Sequence, residues 1–137
     1  MKKVTLEDCR LITIPKIEDK RGKLYFIENS RNIPFDIKRV FYIFDVPESE
    51  SRADHSNMNV EEVVVALTGS FDVTIDDGKE QNKFTLNRPD LGLYLAKMIW
   101  RRLDNFSEGA ICLVLASSLY DANDYLFDYN EFQRINS

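Results

Sequence analysis

One histidine, two cysteines, four prolines and five glycines are present in a chain of 137 residues. A single imidazole excludes a zinc site built from several histidines of one chain. Cys9 and Cys112, a hundred residues apart, do not complete a thiolate cluster. The composition therefore argues against a specific metal site, and no cofactor is expected. No run approaches the roughly 20 apolar residues that cross a bilayer. The N-terminus, MKKVTLEDCR, turns acidic after a basic start and lacks the apolar core of a signal peptide. A cytoplasmic location away from the membrane is expected, with both cysteines reduced. Acidic residues outnumber basic ones by 23 to 18, giving a net charge of −5. That balance argues against nucleic acid as a partner, but it permits a local basic pocket for a small anion.

What is present is strand periodicity. In GSFDVTID, Phe71, Val73 and Ile75 point one way while Asp72 and Thr74 point the other. Asp77-Gly78 predicts a hairpin turn, and KFTLNRP resumes the alternation until Pro89 removes a backbone donor. VVVAL, LGLYLA and AICLVLA are apolar segments of strand length, rich in β-branched residues. KLYFIE, IKRVFYIFDV and the opening VTLEDCRLITI extend the pattern to eight to ten predicted strands. That count predicts one all-β antiparallel domain over residues 1–137, a barrel or two-sheet sandwich. Near the end the period changes. Tyr125, Tyr129 and Phe132 share a helical face, and Asp121 or Asn123 is placed to cap a short C-terminal helix.

Chemistry concentrates at Ser51-Arg52-Ala53-Asp54-His55-Ser56-Asn57. His55 is the one side chain whose ordinary pKa, about 6.5, suits proton exchange near neutrality. Asp54 and Asn57 are placed to orient its ring. Arg52, Lys38, Arg39, Arg101 and Arg102 are candidate anion contacts, since guanidinium groups pair bidentately with phosphate oxygens. Lys38 and Arg39 alternate faces in a strand and so need not enter one pocket. Trp100 is a candidate wall for a sugar or base. Tyr25, Tyr42 and Tyr94 could hydrogen-bond inside a sugar pocket, but amphipathic aromatics of this kind fit a sheet core better.

Six segments in order, DKRGKLYFIE, NIPFDIKRVFYIFDV, VVVALTGS, GLYLAKMIWRRL, NFSEGAICLVLAS and LYDANDYLFDYNEF, resemble the small cupin-type dTDP-sugar 3,4-ketoisomerases of deoxysugar biosynthesis. The likeness runs from about Leu11 to Ile135. It implies a cupin, or jelly-roll, β-sandwich that forms a homodimer. It also implies a metal-independent reaction moving the ketone of dTDP-4-keto-6-deoxyglucose from C4 to C3 through an enediol. The family pattern Arg-Gly-x-His-x-His reads here Arg52-Ala53-Asp54-His55-Ser56-Asn57. The resemblance thus assigns proton transfer to His55 and substrate orientation to Asn57, which stands where a second histidine is common. Arg52 and Arg101 become sugar or diphosphate contacts, Trp100 a residue shaping the pocket, and Lys38 and Arg39 reserve contacts to the diphosphate. Arg101 matches the branch making the gluco product, whereas Arg21 matches the galacto branch. Because Asn57 carries no proton near pH 7, two alternatives stay open: a nucleotide-sugar-binding cupin assisting a partner enzyme, or a related sugar epimerase or isomerase.

Overall fold

The alternation seen in the sequence becomes twelve strands among the residues that a computed structural model describes, 4–136. They are β1 (Arg10–Thr13), β2 (Lys16–Asp19), β3 (Gly22–Tyr25), β4 (Arg39–Phe44), β5 (Arg52–Asn57) and β6 (Glu62–Thr68). There follow β7 (Phe71–Asp76), β8 (Gln81–Leu86), β9 (Leu91–Leu95), β10 (Trp100–Asp104), β11 (Ile111–Ala116) and β12 (Tyr125–Leu126), and then one helix, α1 (Tyr129–Ile135). One five-stranded sheet runs β1-β9-β6-β11-β4 and the other β12-β5-β10-β7-β8, with β2–β3 as a separate hairpin. All pairings are antiparallel. Two such sheets face to face form the expected cupin-like β-sandwich with a short C-terminal helix.

Inner faces follow the two-residue period. Phe71, Val73 and Ile75 of β7 are fully buried, and so are Val64, Leu93, Leu95 and Cys112 from the opposite sheet. The β7–β8 turn forms at the predicted Asp77-Gly78. The Asp77 carboxylate accepts the backbone N–H groups of Lys79 and Glu80 (both 2.9 Å), and Gly78 takes φ +98°. Gly69, between β6 and β7, is more tightly specified. It has φ +71°, and a Cβ there would lie 2.6 Å from Ser107 Oγ and 2.7 Å from Ala110 Cα. Gly69→Ala is expected to destabilise the fold by about 1–3 kcal/mol, read as a lower urea midpoint at unchanged slope.

Two local expectations are corrected. The opening segment is not continuous strand, because Leu6–Asp8 forms one turn of 3-10 helix before β1. The Asp8 carboxylate accepts the Thr5 N–H (2.8 Å) and fixes that turn. The C-terminal helix begins later than Tyr125 and is capped by Asp128, whose side chain accepts the Glu131 N–H (3.2 Å). Asp121 caps only the 3-10 turn Ala122–Asp124. Tyr125 and Leu126 form β12 and pair with Asn57 and Ser56. The residues that suggested a helical stripe thus divide between a sheet edge at the site and a helix on the sheet's outer face.

Candidate active site

A bulge aims His55. Arg101 of β10 pairs with His55 and Leu103 pairs with Arg52, so one strand spends two residues, Ala53 and Asp54, where the other spends only Arg102. Ala53 (φ +80°) and Asp54 (φ +40°) absorb the extra length in the left-handed region. Alanine at +80° occupies a conformation that glycine takes freely, so this turn carries backbone strain. Its result is an Ala53 carbonyl 2.7 Å from His55 Nδ1. The imidazole then faces inward between the sheets, with the rings of Tyr125 (4.8 Å) and Phe127 (5.8 Å) against it.

A hydrogen-bonded chain holds the other ring nitrogen. Asn57 Oδ1 lies 3.1 Å from His55 Nε2, and Asn57 Nδ2 donates to Asp124 Oδ2 (3.1 Å). Asp124 is buried and its other oxygen accepts the Asn59 N–H (2.7 Å). A carboxylate only accepts, so it orients the Asn57 amide with its carbonyl toward histidine. Both imidazole nitrogens therefore face acceptors, an arrangement that the protonated ring satisfies completely and the neutral ring satisfies at one end. Burial opposes protonation most strongly and the Arg101 charge adds to it. Together they outweigh the two acceptors and hold the pKa near 4 rather than 6.5. The resting ring is a neutral base with an acceptor facing each nitrogen.

One histidine makes this directly observable. The lone imidazole resonance is expected to titrate near pH 4 in the folded protein by NMR, and not near its ordinary 6.5. Between the two values the unfolded chain binds more protons, so the contribution of neutral His55 to stability is complete above about pH 6.5. It is lost as pH falls through 4. A melting temperature independent of pH over this interval would contradict it.

A cavity of about 160 Å³ lies beneath the ring. The β5–β10 sheet contributes Arg52, Ala53, His55, Arg101, Leu103 and Tyr125, while Phe41, Ile43, Glu62, Val64, Leu95 and Val114 line it from the opposite sheet. A larger open cleft of about 580 Å³, rimmed by Asp45–Glu48 and Asn105–Gly109, contains no histidine, arginine or lysine. The chemistry lies in the smaller space. Arg101 is 1% exposed; its Nε donates to the Ile99 carbonyl (3.1 Å) and its Nη1 to Glu62 Oε1 (2.5 Å). Its Nη2 is buried with no partner among the described residues. Arg39 lies against the rings of Phe41 (5.2 Å) and Tyr120 (5.6 Å), and its Nη1 is 3.4 Å from the Tyr125 hydroxyl. Its Nε and Nη2 are likewise buried and unpartnered among the described residues. Two guanidinium groups near one cavity with unused donors suit an anionic or oxyanionic ligand.

The structure brings His55, Asn57, Arg52 and Arg101 together, with Arg39 joined through Tyr125. It sets other sequence-nominated residues apart from the cavity lining, among them Arg102, exposed and paired with Asp104 (3.3 Å). The Trp100 ring packs on α1, against Tyr129 (5.2 Å) and Phe132 (5.6 Å), because neighbours on β10 alternate faces and Arg101 points inward. Lys38 is exposed just before β4. Arg21 lies at the β2–β3 turn, 84% exposed and paired with Asp19 (2.7 Å). Sequence reading missed Glu62, Asp124 and Tyr125 as site residues. Glu62 was hidden at the head of an apolar run, and Asp124 reaches Asn57 across 67 residues of sequence. Among the described residues no group of three or more His, Cys, Asp or Glu is placed to hold a metal ion, and no helix is long and apolar enough to cross a membrane.

A two-sheet antiparallel sandwich with one imidazole and a buried arginine at an internal cavity defines a cupin-type small-molecule site. The FdtA family (WxcM-like, C-terminal) matches residues 7–137. The TDP-4-oxo-6-deoxy-α-D-glucose-3,4-oxoisomerase of Aneurinibacillus thermoaerophilus is 42% identical over 125 residues, 91% of this chain and 90% of that protein. The crystal structure of the WlaRB TDP-quinovose 3,4-ketoisomerase from Campylobacter jejuni is 46% identical, with a TM-score of 0.91 over 94% of this chain and 99% of that one. A histidine-to-asparagine variant of the 3,4-ketoisomerase QdtA from Thermoanaerobacterium thermosaccharolyticum, in complex with TDP-4-keto-6-deoxyglucose, is 37% identical with a TM-score of 0.93, covering 96% of each chain. The chain belongs to the cupin-fold TDP-4-keto-6-deoxyhexose 3,4-ketoisomerase family and is an enzyme of that family.

Proposed function

We propose that this protein converts TDP-4-keto-6-deoxyglucose to its 3-keto isomer, with His55 carrying the proton between carbons. The observation that carries this reading is the pairing of His55 with Arg101 across one register position, on the inner face of the cavity. The C3 hydrogen is acidified by the adjacent C4 carbonyl. Neutral His55 accepts it, and the bond's electron pair forms the C3=C4 double bond as charge moves onto O4. The unpartnered Nη2 of Arg101 supplies a donor for that charge in a site shielded from water. The protonated ring, now satisfied at both nitrogens by Ala53 and Asn57, returns the proton at C4. Asn57 orients and does not exchange protons. Arg52 and Arg39 serve the diphosphate; Trp100, Lys38 and Arg21 lie outside the cavity lining and take no part in the step.

Incubation with the keto-sugar in heavy water tests this. Ketone migration with deuterium at C4 is expected by NMR, and neither migration nor deuterium incorporation would refute it. Asn57 bears on the proton route and not on binding, so TDP-sugar binding is expected to accompany turnover.

A homodimer in the cytoplasm completes the proposal. β4 is the edge strand of its sheet, and its Val40, Tyr42 and Phe44 are 55, 64 and 56% exposed, with the two aromatic rings stacked (6.1 Å). An apolar, aromatic strand at a free sheet edge is suited to a second copy. Cys9 and Cys112 are buried and unpaired, and burial pushes the Cys112 thiol up to about 12, consistent with a reducing compartment.

A further inference from the structure

The isomerisation moves two hydrogens: one from C3 to C4, and one from the oxygen on C3 to the oxygen on C4. His55 accounts for the first, and Asn57 beside it cannot carry the second. We propose that Glu62 is the second proton carrier, shuttling the hydroxyl hydrogen from O3 to O4; this rests on the ketoisomerase reading above.

Three observations converge on Glu62. It is a carboxylic side chain, 5% exposed, in a cavity wall otherwise made by Phe41, Ile43, Val64, Leu95 and Val114. It lies on β6, across the cavity from His55 on β5, so a ligand between the sheets meets the two groups from opposite sides. Finally, its contact with Arg101 joins one carboxylate oxygen to one guanidinium nitrogen, while Nη2 stays unpartnered among the described residues. A purely structural pair would close the bidentate fork that arginine and carboxylate favour. This open pair leaves a donor and a carboxylate side by side at the cavity.

The step balances without an oxidant. Once His55 has taken the C3 proton, the intermediate is an enediolate with charge on O4 and hydrogen on O3. Glu62 accepts the O3 hydrogen as a proton and delivers it to O4. The O3 electron pair then forms the C3 carbonyl, and the C3=C4 pair takes the proton back from His55 at C4. Both side chains end as they began. Tyr125, the one hydroxyl in the lining, is engaged elsewhere, with Arg39 Nη1 3.4 Å from its oxygen.

Glu62→Gln keeps the shape and an acceptor for Arg101 but removes the exchangeable carboxylate. With TDP-4-keto-6-deoxyglucose in heavy water, ketone migration is expected to fall about 100-fold or more. Deuterium should still enter C3, because His55 is intact. Glu62→Asp, which keeps a carboxylate, should migrate faster than Glu62→Gln. Adding Asn57→His to Glu62→Gln should restore migration by supplying a second exchangeable group. Migration in Glu62→Gln within about threefold of wild type overturns the proposal, and so does loss of C3 exchange in step with migration. The split phenotype appearing in Tyr125→Phe instead would also overturn it. A wild-type protein that neither exchanges nor migrates refutes the ketoisomerase reading itself, a distinguishable failure.

Discussion

His55→Gln is expected to lower kcat by roughly 10²–10⁴-fold while leaving TDP affinity within a few-fold of wild type. Glutamine is of similar length and can donate to Asn57 Oδ1, so the polar chain through Asn57 to Asp124 keeps a partner. It cannot accept a proton from C3. The cavity and both arginines remain, so substrate is still held and charge on O4 is still met by a donor. The defect should appear in kcat and in deuterium entry at C3 together, since both require the same abstraction. The pH dependence is a second signature. With the His55 pKa near 4, wild-type kcat/KM should stay flat from about pH 5.5 to 8 on the basic-group limb and fall only toward pH 4. A fall centred near 6.5 would show an imidazole with ordinary solvation, and kcat within tenfold of wild type in His55→Gln would remove it from the chemistry.

Arg101→Met is expected to destabilise the protein by about 3–5 kcal/mol, because it leaves the Glu62 carboxylate buried without a counter-charge. Side-chain exposures of 1% and 7% put this ion pair inside the sandwich, where solvent does little to compensate. Most of that loss reflects the orphaned partner, so Arg101→Met combined with Glu62→Leu should recover much of the stability. Urea unfolding of the two single variants and the double variant measures it. The same substitution carries a separate electrostatic readout. Arg101 helps hold His55 down, so its removal should raise the His55 midpoint above 4. Equal stability of Arg101→Met and wild type, with an unmoved histidine, would contradict the described pairing.

These expectations draw on residues of unequal visibility in the sequence. The sandwich was legible because apolar residues repeat every second position, and Phe71, Val73 and Ile75 are buried as that period demands. His55, Asn57, Arg52 and Arg101 were legible from a short pattern and two segments of family resemblance. Glu62 was not. At the head of EEVVVAL nothing local says which of two adjacent glutamates turns inward, and the register with Leu95 decides it. Asp124 was invisible because its role depends on β12 adding to the edge of β5. Trp100 and Arg101 were read together, yet strand alternation sends one to α1 and the other to the cavity. Tyr125 showed helical spacing with Tyr129 because a two-residue strand and a following helix can mimic one continuous stripe. Short elements and long-range pairings are what one-dimensional periodicity cannot resolve.

Capture of TDP-4-keto-6-deoxyglucose in a crystal of this protein tests the account most directly. A ring nitrogen of His55 should lie within about 3.5 Å of C3 or C4, with Arg101 Nη2 in hydrogen-bond reach of the oxygen on C4. A sugar seated with His55 far from both carbons would contradict the assignment.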